Sequence, residues 1–138
     1  MYKTGLIAGS FDLIHPGYIR VFRESKSICE NLIVALQDDP TVDRPTKCKP
    51  VQSWDERAEI IRALRYVDDV VYYNTEEDLR RLLARVDFDV RILGSDYVGK
   101  RYTGDELGKS VYFCNRDHDY SLTDLKKKIA ISISDLKT

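Results

Sequence analysis

The sequence is poor in the features that would place it at a membrane or on a polyanion. No apolar run approaches the roughly 18–20 residues that cross a bilayer. The opening MYKTGLIAGSFD has no apolar segment of the length a secretory leader needs. Net charge is almost absent: 22 basic residues stand against 23 acidic ones, a formal −1, so no global positive field recruits nucleic acid or an acidic membrane. Cysteine is sparse. Cys29, Cys48 and Cys114 are odd in number, widely spaced and form no CxxC, and His15 and His118 are not spaced as zinc ligands. That pattern excludes a disulfide framework and fits free thiols in a reducing cytoplasm, the expected location. Proline is scarce too, and three of the four lie between residues 37 and 52. No repeat, low-complexity tract or composition shift divides the chain, so a single domain over residues 1–138 is expected. What is plentiful is apolar side chain, 43% of residues, enough to build a core.

Short apolar runs alternate with helical periods along the whole chain. Residues 3–8, 31–36 (NLIVAL), 69–73 (DVVYY), 89–93 (DVRIL) and 110–114 (SVYFC) read as strands. The unbroken character of NLIVAL suits a strand buried on both faces of a parallel sheet. Between them, Tyr18, Val21, Phe22, Ile28 and Cys29 form one helical face; Trp54, Ala58, Ile61 and Leu64 form a second; Leu79, Leu82, Leu83 and Val86 a third. Leu122, Leu125, Ile129, Ile133 and Leu136 follow the same 3.6 period, which predicts a last helix packed on the core. Ser53 with Glu56 forms a capping-box pattern, and Thr75 and Ser121 read as N-caps. Alternation of this kind predicts an α/β fold: a Rossmann-like, doubly wound parallel five-stranded sheet with helices on both faces. Ligands of such sheets bind beyond the carboxyl ends of the strands. The segments 9–18, 37–52, 94–109 and 115–121, which mostly follow strands, are therefore the functional candidates.

Three of these segments carry groups suited to phosphate. GLIAGSFDLIHPGYIR reads as strand, glycine turn and helix, with Pro16 at the helix start and Asp12 and His15 between. Free N–H groups and the positive end of the helix dipole converge there, and His15 could add a donor. A structural histidine in an ordinary strand–helix turn is the alternative. Lys47-Cys48-Lys49 sets two ammonium groups on one side of an extended loop, or two solvated lysines. Arg116 precedes the helix capped by Ser121, and arginine offers phosphate two parallel donors; a surface arginine beside an ordinary cap is equally consistent with that piece alone. Together these make equipment for a polyphosphate.

GSFDLIHPGY resembles the GxFDxxHxGH signature of the cytidylyltransferase-like nucleotidyltransferases. The similarity continues through the Lys-x-Lys loop, PVQSWDER, RYVDDV and ILGSDY to Arg116 and Ser121, which resemble a late RTxxxST-type motif. Within that family the likeness is to the small glycerol-3-phosphate cytidylyltransferases, which share this length and are commonly dimers. The resemblance implies transfer of CMP from CTP to a phosphorylated small molecule by direct attack on the α-phosphorus, with loss of pyrophosphate. ATP in place of CTP, or a non-catalytic nucleotide-binding module, are the alternatives it leaves. Carried over by position, His15 and Tyr18 would meet the triphosphate, and Lys47 and Lys49 the α-phosphate and the acceptor phosphate. Arg116 and Ser121, with Thr123, would hold the departing β and γ phosphates. Asp12 would order the first loop or the acceptor side. Arg57, Gly94, Asp96 and Tyr97 would lie near the nucleoside. Gly9, Ser10, Phe11 and Gly17 would let backbone approach the phosphates. Mg²⁺ would bridge phosphate oxygens, with no protein-only metal site, and the protein would be a homodimer.

The chain departs from the family pattern in three places. The second motif histidine is Tyr18, a donor that carries no positive charge at neutral pH. Leu122 stands where a hydroxyl is expected. Asp117-His118-Asp119 puts two carboxylates beside the expected triphosphate. Arg101, Tyr102, Thr103 and Asp105 could read an acceptor's hydroxyls or charge, or belong to a solvated loop.

Overall fold

Five strands and four helices alternate in the order the apolar pattern predicts. The structure, a computed structural model, describes residues 1–115 and 120–136. The elements are β1 (Tyr2–Gly9), α1 (Pro16–Ser27), β2 (Cys29–Gln37), α2 (Trp54–Arg62), β3 (Asp69–Tyr73), α3 (Glu76–Arg85), β4 (Val90–Gly94), β5 (Ser110–Cys114) and α4 (Leu122–Asp135). Two short 3₁₀ turns, Ser95–Tyr97 and Asp105–Leu107, lie between β4 and β5. All strand pairs are parallel, in the order β3-β2-β1-β4-β5. The chain therefore steps outward from β1 to β3, crosses back, and adds β4 and β5 on the other side of β1. The reversal falls between β1 and β4, where Ile7 pairs with Ile92. A crevice opens at such a switch point beyond the strand ends.

Alternation along the strands divides the core into two layers. Ile7, Val34, Leu36 and Ile92 pack with Val21 and Phe22 of α1 and Ala58 and Ile61 of α2. Leu6, Ala35 and Tyr73 pack with Leu79, Leu82 and Leu83 of α3 and with Phe88. Each fully buried Leu or Phe contributes about 1.5–3 kcal/mol, so these two layers carry the fold. β2 is buried from Leu32 to Gln37, apart from a half-exposed Ile33, because it lies inside the sheet with a layer on each face. The capping boxes form as expected: Ser53 Oγ accepts from Glu56 N–H at 3.1 Å while Glu56 accepts from Ser53 N–H at 2.9 Å. Thr75 and Asp78 repeat the arrangement at α3.

Two expectations are corrected. Ile28 and Cys29 do not extend the first helical face: α1 ends at Ser27, and Cys29, 1% exposed, opens β2. The apolar stripe of α4 does not join the core. None of its residues is buried, and Ile129, Ile133 and Leu136 are 42%, 54% and 82% exposed. α4 stands at the mouth of the sheet, so a period of 3.6 has no facing layer to meet there. Among the described residues, no helix is long and apolar enough to cross a membrane, and Cys29, Cys48 and Cys114 are free thiols.

Candidate active site

A cavity of about 1000 Å³ opens at the carboxyl ends of the strands, over the switch point. Its wall is built by the ends of β1, β2, β3 and β4, the loops after them, and the first turns of α4. Seven basic side chains (Arg44, Lys47, Arg80, Arg91, Arg101, Lys126 and Lys127) line it against two acidic ones, Asp12 and Glu76. In a chain of net charge −1, that concentrates positive potential in one concave place.

The first loop supplies Gly9, Ser10, Phe11, Asp12 and Tyr18 to the wall. Phe11 has φ +46 and turns its ring back over Gly9, where an added Cβ would meet ring carbons at 3.0 Å. The absence of a side chain at Gly9 thus makes room for Phe11, a reason other than the expected close approach to phosphate. Asp12 is 2% exposed and accepts from Val51 N–H at 2.8 Å and Gln52 N–H at 3.0 Å, while Lys126 of α4 lies 3.4 Å away. It ties three segments together. His15 is the N-cap of α1: its Nδ1 accepts from Gly17 N–H at 3.0 Å, which leaves Nε2 as the donor of the neutral ring. Gly17 is buried inside that first turn. His15, 7% exposed, lies outside the cavity wall, and the ring of Tyr18 stacks on it at 4.0 Å. Of the pair, it is Tyr18, also edge-on to Phe11, that lines the cavity.

Arg57, expected near the nucleoside, does not itself line the cavity; at 1% exposure its side chain is buried under the loops. Nε donates to the carbonyls of Gln52 and Ser53, one terminal nitrogen to Ser10 (2.8 Å) and Gln37 (2.6 Å), and the other to Asp38 (2.7 Å). Burial pulls its pKa down, and Asp12, Asp38 and Asp39 oppose that. The Lys-x-Lys pair is split. Lys47 lines the cavity, whereas Lys49 is 80% exposed with its Nζ 3.9 Å from Asp39.

On the far wall Gly94 and Tyr97 line the cavity, while Asp96 is exposed and outside it. Ser121 caps α4, accepting from Asp124 N–H at 3.3 Å, but is exposed outside the wall; Leu122 and Thr123 line it. Leu122 is thus a wall residue at the helix start rather than part of the core. Arg116, Asp117, His118 and Asp119 lie outside the described residues. Among the described residues no three His, Cys, Asp or Glu side chains group as a cation site.

Several wall residues escaped the sequence reading. Tyr73 and Arg91 sit on strands, where DVVYY and DVRIL read simply as core. Glu76 and Arg44 pair at 3.6 Å, and Glu76 also accepts from Thr103 Oγ1 at 2.7 Å. One signal was available: an arginine inside a short apolar strand has to find a partner.

A parallel sheet with a cavity at its switch point lined mainly by basic side chains, and a capped first helix after a glycine turn, defines a Rossmann-like α/β protein. Residues 6–138 match the cytidylyltransferase-like family, and the chain belongs to it. It is similar to the bifunctional protein HldE of Rhodopseudomonas palustris strain HaA2, 32% identical over 131 residues, covering 91% of this chain and 26% of that protein. HldE of Bradyrhizobium sp. strain ORS 278 is 36% identical over 106 residues, 76% of this chain and 21% of that protein. The chain spans about a quarter of the length of these curated relatives. Among solved structures, a lipopolysaccharide core biosynthesis protein from Thermoplasma volcanium superposes with a TM-score of 0.66 at 24% identity, covering 83% of this chain and 96% of that one. Pantoate-β-alanine ligase from Francisella tularensis, complexed with β-γ ATP and β-alanine, gives 0.51 at 16%, with 83% and 59% covered. Both share the fold.

Proposed function

We propose that this chain transfers a nucleotidyl group, CMP from CTP, to the phosphate of a small polyol, sugar or amino-alcohol phosphate such as glycerol 3-phosphate. The observation that carries the proposal is the cavity at the switch point with seven basic side chains against two acidic ones. An acceptor phosphate oxygen attacks the α-phosphorus, the bond to the β-phosphate bridging oxygen breaks, and pyrophosphate leaves. No protein nucleophile is required, so catalysis consists of positioning and charge stabilisation. Lys47 and the start of α1 serve the reacting phosphate, with Tyr18 as a hydrogen-bond donor fixed against His15. Thr123, Lys126 and Lys127 serve the departing phosphates from α4, together with Arg116. Asp12 and Arg57 position the loops. Mg²⁺ bound with the nucleotide would supply further charge neutralisation. The homodimer implied by resemblance belongs to the same proposal.

The test is pyrophosphate release from CTP and Mg²⁺ with a panel of phosphorylated polyols, sugars and amino alcohols, alongside melting curves with CTP and with ATP. A ligand of the native state raises the melting temperature. We expect CTP to raise it, one acceptor class to release pyrophosphate, and EDTA to abolish release. A folded sample with no nucleotide-induced shift and no release overturns the proposal. The ATP bound to pantoate-β-alanine ligase on this fold supports a second reading, in which ATP is the donor. A shift with ATP and none with CTP selects it.

A further inference from the structure

One of the four arginines of the cavity wall differs from the other three. Arg44 lies 3.6 Å from Glu76, Arg80 lies 3.1 Å from Glu77 and 3.2 Å from Glu106, Arg101 lies 3.0 Å from Asp105, and Lys126 lies 3.4 Å from Asp12. Arg91 pairs with no carboxylate within 4.0 Å among the described residues. It is also among the most buried of these cations, 6% exposed. One terminal nitrogen donates to the Thr103 carbonyl at 2.6 Å, the guanidinium stands 5.6 Å from the centre of the Tyr102 ring, and Nε is buried without a hydrogen-bond partner. Burial pushes its pKa down; Tyr73, Tyr102 and Glu76 oppose that. A backbone carbonyl and a ring face are weak company for a buried charge, and a cation left this way is costly to the folded state. Its place in the wall of an open cavity offers the missing partner: an anion that arrives with the ligand.

The sheet separates this cation from the first loop. Arg91 alternates with Ile92, whose side chain packs in the α1–α2 layer, so Arg91 belongs to the opposite, α3 face. Tyr18 packs with the α1–α2 layer. A phosphate held at Tyr18 and the start of α1 is therefore not the anion that Arg91 meets. Tyr73 and Tyr97 line the same cavity and stand near enough to Arg91 to act on its charge. Among the described residues the carboxylate that acts on its charge, Glu76, is already held by Arg44 and Thr103.

Resting on the nucleotidyl-transfer reading above, we propose that Arg91 determines acceptor specificity by binding a carboxylate at the end of the acceptor remote from its reacting phosphate. The planar fork of the guanidinium suits the two oxygens of a carboxylate. The acceptor class is then an acidic sugar or polyol phosphate.

The experiment compares acceptors of equal length that differ only at the far end, CH₂OH against carboxylate. Glycerol 3-phosphate is set against 3-phosphoglycerate, erythritol 4-phosphate against 4-phosphoerythronate, and sorbitol 6-phosphate against 6-phosphogluconate. Calorimetric titration of the whole chain gives each Kd, and CTP and ATP are titrated on the same samples. In at least one pair the carboxylate member should bind about tenfold tighter, the range expected for a charge-assisted contact. That preference should fall to about twofold or less in Arg91→Gln and return in part in Arg91→Lys. Nucleotide binding should remain measurable in both variants, which shows that the cavity is intact. Equal Kd values within every pair, with nucleotide binding intact, overturn the role of Arg91 alone. So does a preference that survives Arg91→Gln, since a residue that merely fastens the loop at Thr103 changes stability and not tail discrimination. If Arg91→Gln does not fold, the wild-type pairs decide. Absence of any nucleotide binding in the wild type overturns the nucleotidyl-transfer reading instead.

Discussion

Tyr18 occupies the position at which the motif would carry a second histidine, and its surroundings separate two roles that one side chain combines. Its ring is fixed on both sides, stacked on His15 at 4.0 Å and edge-on to Phe11 at 5.2 Å. The ring alone supplies that packing. Tyr18→Phe therefore removes a hydroxyl and little else. We expect its melting temperature to stay within a few degrees of wild type and its turnover to fall roughly ten- to a hundredfold, the worth of one hydrogen bond to a charged group, about 1.5–3 kcal/mol. An unchanged rate in a steady-state assay with saturating nucleotide would reduce Tyr18 to a packing residue. His15 caps α1 through Nδ1 and stacks on Tyr18 in the same arrangement.

At the scale of elements, the junctions are held by a few polar staples, and Asp68 is the one with a pH signature. It accepts from Leu32 N–H at 2.8 Å and pairs with Lys26, joining the end of α1 and β2 to the start of β3. Partial burial alone would raise its pKa, but Lys26 and the Leu32 N–H outweigh that and hold the carboxyl below its usual range. A folded pKa below the unfolded one, near 4 for an aspartate, means stability that is complete above that value and lost as pH falls through the lower folded one. Asp68→Asn should thus lower the urea midpoint at pH 7, modestly because the carboxylate is 40% exposed, and the gap should close below about pH 4. A gap that is constant with pH would assign the effect to packing. Caps such as Ser53, Thr75 and Ser121, and strands such as Ser110–Cys114, were readable in the sequence because their causes are local: a side-chain oxygen three residues from an N–H, or a short apolar run. The fate of α4 was not readable. A period of 3.6 says that one face is apolar; it does not say whether a layer of the fold stands opposite. Nor did Arg57 announce itself, since three of its five hydrogen bonds go to carbonyls of two distant segments, at Ser10 and at Gln37 and Asp38, that only the tertiary structure brings together. Arg91 was hidden for the converse reason: in DVRIL its neighbours marked it as one more core position.

The molecule as a whole is nearly neutral, and yet its charges are not evenly spread. Five net positive charges face the cavity, seven basic against two acidic, so the remainder of the surface is acidic on balance. Nucleotide affinity should consequently be sensitive to ionic strength while the unliganded fold is not. Raising salt from about 0.05 to 0.5 M shortens the screening length from roughly 14 to 4 Å. It should weaken triphosphate binding about tenfold or more, with little change in the melting temperature of the free protein. Salt-independent binding would mean that apolar contacts to the base dominate. Arg57 sets one more condition at this scale. Because a single guanidinium holds carbonyls of the first loop, of the end of β2 and of the segment before α2, and Asp12 binds the N–H groups of that last segment in return, the two sides of the cavity share one scaffold. Their loops are not interchangeable parts. A chimera that imports the 38–53 segment of a relative inherits a working cavity only if the imported backbone presents its carbonyls and N–H groups where Arg57 and Asp12 already wait.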